Sequence, residues 1–208
     1  AAAAEANRLA PELVPAAVTL AEALNKLNDP RKALRTLEYT YKINPHPELA
    51  DLYVRSKGGD KPEDRLKRAR TLAGFAPDNA ESDIAIARAA LGAGQYGEAR
   101  KHAEKALASS PRESIHLILA DIEQAETRNA GKVRAHLSRA LRAPRDPAWT
   151  ADGVVSERWL PVSPVSGRID AFEWKVPVER LQPLLDFEPE PEEAPSPVIE
   201  VAKAVEPA

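Results

Sequence analysis

Apolar residues recur at helical spacing through the first part of the chain, in blocks that each stop at a proline, a glycine or a short polar stretch. Leu20, Ala21 and Leu24 mark the packing face of a helix running through Leu13 to Leu27. Asp29-Pro30 then supplies a cap and a first-turn proline for a partner helix presenting Ala33, Leu37 and Tyr41. Pro47 opens a helix with Leu49, Leu52 and Tyr53 on its face, broken at Gly58-Gly59, and a Pro62-led helix carries Leu66, Ala69 and Leu72 towards Phe75. With Asp78 or Asn79 as cap, the stretch AESDIAIARAALGAGQYGEARKHAEKALASSP (80–111) follows. It predicts two helices about a turn at Gly94, with Ala87 and Ala99 as the contact pair, Tyr96 capping the hairpin and Pro111 stopping the second helix. A last pair places Leu119, Ala120, Val133, Leu137 and Ala140 inward, with its turn around Arg128 to Gly131. Beyond Asp146 the helical period gives way to short apolar alternations (Val154-Val155; Ile169, Phe172, Trp174) between proline and glycine turns.

Pro11, Pro45, Pro77, Pro111 and Pro144 follow successive helical blocks at separations of 34, 32, 34 and 33 residues. A period near 34 is that of the tetratricopeptide repeat, a helix–turn–helix unit packed through small residues. The predicted fold is therefore all-α: a tetratricopeptide-like right-handed superhelix of helical hairpins, followed by a small irregular β-ribbon and a disordered tail. Residues 1–145 form the repeats, starting mid-repeat, so that the protein is expected to continue N-terminally. Residues 146–187 form a tryptophan-rich ribbon, expected to fold against the last helices with Trp149, Trp159 and Trp174 as a miniature core. Residues 188–208 form an acidic, proline-rich tail expected to be disordered, with Val198 to Val205 as its one apolar patch.

Composition narrows the function. The net charge of −3 supplies no global basic field for nucleic acid. The chain has no cysteine, which removes disulfides and thiolate ligands. No apolar run approaches the roughly 20 residues that span a bilayer. Gly92-Ala93-Gly94-Gln95-Tyr96-Gly97 spells GxGxxG but follows a helix rather than a strand, so it reads as the inter-helix turn and not a dinucleotide fingerprint. No serine has a nucleophile-elbow context and the carboxylates scatter over solvated faces, so no enzymatic activity is expected. Arg65, Lys67, Arg68 and Arg70, with Lys61 nearby, read as an ordinary solvated basic face.

What is left is a binding surface. In such a superhelix the first helix of each pair builds the concave wall, and its open positions are Glu22, Asn25, Lys26, Val54, Arg88, Asp121 and Gln124. This mixed groove lacks a repeated Lys/Asn clamp for a C-terminal carboxylate. Among the histidines, His102 and His136 fall on second helices, where solvated positions are the rule. His116 begins a first helix and is the candidate haem contact, facing the groove. No cofactor is otherwise implied.

The ribbon carries a pattern of its own. Ala151 and Val154 are three apart, as are Ser163 and Ser166, each pair beside a turn. Two CxxC knuckles at those places would read as a zinc ribbon, but alanine, valine and serine hold no metal there. The pattern reads either as a knuckle fold in which an apolar core stands in for the ion or as two unrelated turns.

The repeats ending in INPHPELADLY, the LADIEQAE helix and above all DPAWTADGVVSERWLPVSPVSGRIDAFEW resemble the HemY-type tetratricopeptide proteins of proteobacterial haem-biosynthesis operons, in their alphaproteobacterial branch, over about residues 1 to 180. The resemblance implies an inner-membrane protein with an N-terminal anchor that lies outside this sequence and a repeat domain on the cytoplasmic side. It implies a non-enzymatic scaffold for enzymes of late protohaem synthesis. A tetrapyrrole carrier is the alternative. The ribbon is also similar to the metal-knuckle ends of the lipopolysaccharide-assembly protein B family, whose cysteines would fall on 151, 154, 163 and 166; an envelope-assembly adaptor is the further alternative.

Overall fold

The computed structural model describes residues 2–56 and 60–177. The expected tail, any helical turn in 178–186 and the Gly58-Gly59 break lie outside them. Nine helices occupy the described residues before the ribbon: α1 (Ala2–Leu9), α2 (Val14–Lys26), α3 (Pro30–Ile43), α4 (Pro47–Val54), α5 (Pro62–Ala73), α6 (Ala80–Gly92), α7 (Tyr96–Ser109), α8 (Glu113–Glu126) and α9 (Ala130–Ala140). They pair as hairpins α2–α3, α4–α5, α6–α7 and α8–α9, with α1 against α2, and the hairpins stack in sequence order. The helix α4 ends at Val54, before the predicted glycine break.

Local chemistry sets the boundaries. The Asp29 carboxylate accepts from the Lys32 amide at 3.2 Å with Pro30 in the first turn, and Asn79 accepts from the Glu81 amide at 2.9 Å. Asn129 accepts two amides to open α9. Each satisfies donors that the first helical turn leaves without an intrahelical partner. Between α6 and α7 the chain passes through Gly94 at φ 69°, a left-handed conformation that glycine adopts without penalty. This GxGxxG is thus the hairpin turn, as its context predicts.

The α6–α7 hairpin is the tightest. Ala87, Ala90, Ala99, Ala103 and Ala106 are all at 0 % exposure, so the two backbones approach with only methyl groups between them. Polar ties join successive hairpins. The Tyr41 hydroxyl meets Ser82 Oγ at 3.1 Å, and burial pushes the phenol up to about 12. Arg70 reaches Glu98, and Arg100 bridges Glu123 and Glu126 at 2.5 Å each. The last hairpin departs from expectation on one side: Ala140 is buried and Val133 half-buried, but Leu137 is exposed. No further hairpin stacks on α9 among the described residues, so nothing covers that face.

After α9 the chain forms a three-stranded antiparallel sheet, β1 (Ala148–Ala151), β2 (Val154–Ser156) and β3 (Glu173–Lys175), in the order β2-β1-β3. Asp152-Gly153 makes the two-residue turn with both φ values positive, the conformation that favours this dipeptide in hairpins. The sheet does not fold against the last helices. Trp149, Ala151 and Phe172 enter the core of α2, α3 and α4, with Trp159 and Trp174 packed on it, beside Val14, Ala17 and Leu49. The reason is apolar supply: α9 buries only Ala140, whereas α2 and α4 offer a continuous apolar face.

Two neighbouring glycines separate space from backbone conformation. A Cβ at Gly92 or Gly94 would meet nothing within 4 Å, but only Gly94 has positive φ. Gly92→Ala is expected to raise stability by about 0.5–1 kcal/mol, and Gly94→Ala to lower it by about 1 kcal/mol, read by urea denaturation of the two variants.

Candidate functional site

Three cavities run along the first helices. The central one, ≈ 290 Å³, lies between α4, α5 and α6, with Ala50, Val54, Ile84, Ala85 and Ala89 as its apolar lining. A second, ≈ 320 Å³, shares Pro47, Glu81, Ile84 and Arg88 with it and extends to Ser114 at the start of α8 and to Trp174 of the ribbon. The third, ≈ 650 Å³, shares Asp51 and Arg55 with the central cavity and lies between α2, α4 and residues 157–159. Shared walls make them one interrupted groove.

Of the predicted groove residues, Val54 and Arg88 line the central cavity and Glu22 the one beside α2. Asn25, Lys26, Asp121 and Gln124 line none of the three. Asp121 shows why. It is seven residues beyond Ser114 and so shares its helix face, but stands about two turns, or ~10 Å, further along the axis. The three cavities thus take in Glu22, Val54 and Arg88 of the predicted row.

His116 is not at the groove. Its ring lies 6.3 Å from that of His136 on α9, and both Nδ1 atoms are buried without a partner. Burial, reinforced by Arg139, lowers both histidines below their ordinary range. The expected solvated His136 is instead half-buried, and His102 binds Asp83 at 2.7 Å, with Lys105 3.1 Å from the same carboxylate.

The charges along the groove are partly neutralised. Arg55 pairs with Asp51 at 2.7 Å along α4. Arg112, 6 % exposed, holds Glu81 at 2.6 Å and lies 3.1 Å from Asp146 through Nε, an ion pair without hydrogen-bond alignment. Asp146 in turn accepts from the Ser114 amide at 2.8 Å and from its hydroxyl at 2.5 Å, capping α8. Arg65 and Arg88 project into the central cavity without a hydrogen-bond or ion-pair partner among the described residues. The basic face expected on α5 is thereby divided: Arg68 is tied to Asp60 and to the Val54 carbonyl, Arg70 to Glu98, and Arg65 faces the groove.

One end of the groove is closed by an aromatic clamp that sequence reasoning missed. His46, 2 % exposed, accepts the Glu48 amide on Nδ1 as the cap of α4. Its ring stacks on Trp149 at 5.4 Å and tilts against Trp174 at 4.2 Å, while the Trp149 indole donates to Glu48 Oε1 at 2.6 Å. The available signal was His46 immediately before Pro47, a capping position ahead of a first-turn proline. Burial, with Nε2 unpartnered, lowers this imidazole to about 4. The unfolded chain takes up the proton near pH 6.5, which the folded state resists, so stability is full above that pH and falls as pH drops from 6.5 towards 4. His46→Asn keeps a capping acceptor and removes the titration. It is expected to reduce the loss between pH 7 and pH 4 by on the order of 3 kcal/mol, leaving the share of His116 and His136, measured by denaturant melts at each pH.

The degenerate knuckle is joined by a polar bracket, beside the apolar core that Ala151 enters. Ala151 is buried, Val154 half-buried, and Ser163 and Ser166 both donate to Asp152 Oδ2 at 2.5 Å. The turn wraps Ser163 Oγ, which accepts the Val165 and Ser166 amides at 3.2 and 3.3 Å. These donors hold the Asp152 carboxyl below its ordinary range. A carboxylate that accepts two hydroxyls joins the two turns where a metal knuckle would use an ion. Asp152→Ala is expected to speed hydrogen exchange at the 165–168 amides while leaving α6–α7 protection unchanged; equal exchange in both proteins removes the bracket's structural role.

The fold and groove define an α-solenoid of stacked helical hairpins with an open inner surface. No family model matches the chain. It is similar to the probable magnetosome protein Mms48 of Magnetospirillum gryphiswaldense, 28% identical over 123 residues, which are 58% of this chain and 27% of that protein. The chain thus spans about a quarter of that protein's length, a likeness too short and distant to assign a family.

Proposed function

We propose that this protein is a non-enzymatic scaffold of the tetratricopeptide class, a right-handed superhelix whose concave side holds a segment of a partner protein. The observation that carries this reading is the apolar groove along α4, α5 and α6, edged by Val54, Ile84 and Arg88 and left open by the ribbon. Apolar lining supplies affinity without a reacting group, and a few placed charges supply orientation. The proposed partners, enzymes of late protohaem synthesis at the inner membrane, rest on the sequence resemblance alone, above all that of the tryptophan-rich segment. A tetrapyrrole carrier has less support, because His116 packs against His136 and away from the groove.

A photo-crosslinking residue at Val54 is expected to trap a protein partner in cells, and one at exposed Leu117 to trap none. Adding Gly92→Trp, which projects an indole into the central cavity from a position with free space, should abolish the Val54 adduct. Equal adducts from both positions, or an adduct indifferent to the indole, would remove the groove as the binding face.

A further inference from the structure

We infer that the groove selects an acidic segment of a partner protein, one whose side-chain carboxylates reach Arg65 and Arg88 while an apolar side chain lies on Ile84. The inference rests on the groove being the binding face and adds the chemistry of what fills it.

Five charged side chains line the central cavity: Asp51, Arg55, Arg65, Glu81 and Arg88. Both acids are already engaged. Asp51 is the partner of Arg55, and Glu81 is taken by Arg112, which lines the adjoining cavity. Arg112 is buried and anchored beside Asp146, so the carboxylate of Glu81 is committed to a fixed partner. The cavity therefore presents two uncommitted guanidiniums and no uncommitted carboxylate, on a protein whose net charge is −3. The local sign is opposite to that of the whole molecule. Each guanidinium offers a planar fork of donors suited to a carboxylate, beside an apolar lining that limits screening by water.

The rest of the lining suits a polypeptide better than a free anion. Ala85, Ala89 and Gly92 lie at i, i+4 and i+7 on one face of α6, next to Arg88, and leave the helix surface low enough for a main chain to pass close. Ile84 lies in both the central and the second cavity, and Trp174 ends the path. A small anion would use the arginines and leave this apolar surface uncovered; a segment that alternates acidic and apolar side chains uses both.

The test is fluorescence anisotropy on the full chain. The probe is a labelled, acetylated and amidated twelve-residue peptide of glutamate, leucine and proline, compared with the same peptide carrying glutamine for glutamate. The acidic peptide is expected to bind at least about tenfold more tightly, a difference of ~1.4 kcal/mol, and to weaken steeply as salt rises to about 0.5 M. Arg65→Gln with Arg88→Gln should bring it to the level of the glutamine peptide, and Gly92→Trp should abolish binding of both. Both arginines are exposed, so the double variant should melt as the native protein does. Equal binding of the two peptides, both lost with Gly92→Trp, overturns acidic selection and leaves the groove as a binding face. Binding of the acidic peptide that survives Gly92→Trp overturns the groove as well. No binding of the acidic peptide, or binding indifferent to the arginine pair, overturns the acidic assignment.

Discussion

A hairpin of two short, alanine-rich helices cannot bury its own apolar face, and the rest of this structure follows from that shortfall. Ala87, Ala99 and Ala103 bring α6 and α7 together, but methyl groups alone remove little area from water. The hairpin is stable because Leu66 and Ala69 close it on one side and Ile115, Ile118 and Ile122 on the other. Each unit borrows area from its neighbours, which makes the stability nearly one-dimensional and leaves the end faces and the inner row as the places where the account stays open. The exposed Leu137 on α9 and Leu141 just beyond it are one such place. The row formed by α2, α4 and α6 is the other, and the ribbon covers part of it.

The ribbon's position turns a uniform inner row into a groove with ends. Trp149, Phe172 and Trp174 fill the part over α2 and α4, and the Trp149 indole spans 101 residues of sequence to reach Glu48. Asp146 belongs to the same connection: it caps α8 and stands beside Arg112, which holds Glu81. The segment that shapes the groove sterically therefore also sets its charge. Without Arg112 in place, the groove would carry an unpaired Glu81 carboxylate beside Ile84. The electrostatics of the site are a product of chain topology and cannot be read from the groove helices by themselves.

This explains which parts of the molecule were legible in its sequence. Helix limits were, because they depend on neighbours within a few residues: Asp29-Pro30, Asn79 and Gly94 act on the turn they occupy. The proline period was legible for the same reason, since each proline ends the helix before it. The ribbon's destination was not. Its apolar residues announced a core, but the choice between the last helices and the first depended on how much apolar surface each left uncovered. The burial of His46 was not legible because its surroundings, Trp149 and Trp174, are remote in sequence. Arg65 looked like one member of a basic face because the partners that remove Arg68 and Arg70 from that face, Asp60 and Glu98, are set by folding.

The knuckle shows the same limit from the opposite direction. Spacing alone left open whether the two turns belong together, and the structure joins them through Asp152, which lies between the expected ligand positions. A metal ion draws four ligands inward from outside the chain. A carboxylate can bracket two hydroxyls only if its own backbone delivers it, and the Asp152-Gly153 turn does so with Asp152 at φ 50°, a conformation that aspartate tolerates better than most residues. The ligand positions are therefore the less informative part of the pattern. Once they no longer hold an ion, the restraint passes to the residue whose turn geometry aims an acceptor across the gap, and the ribbon keeps the shape with which it closes the groove.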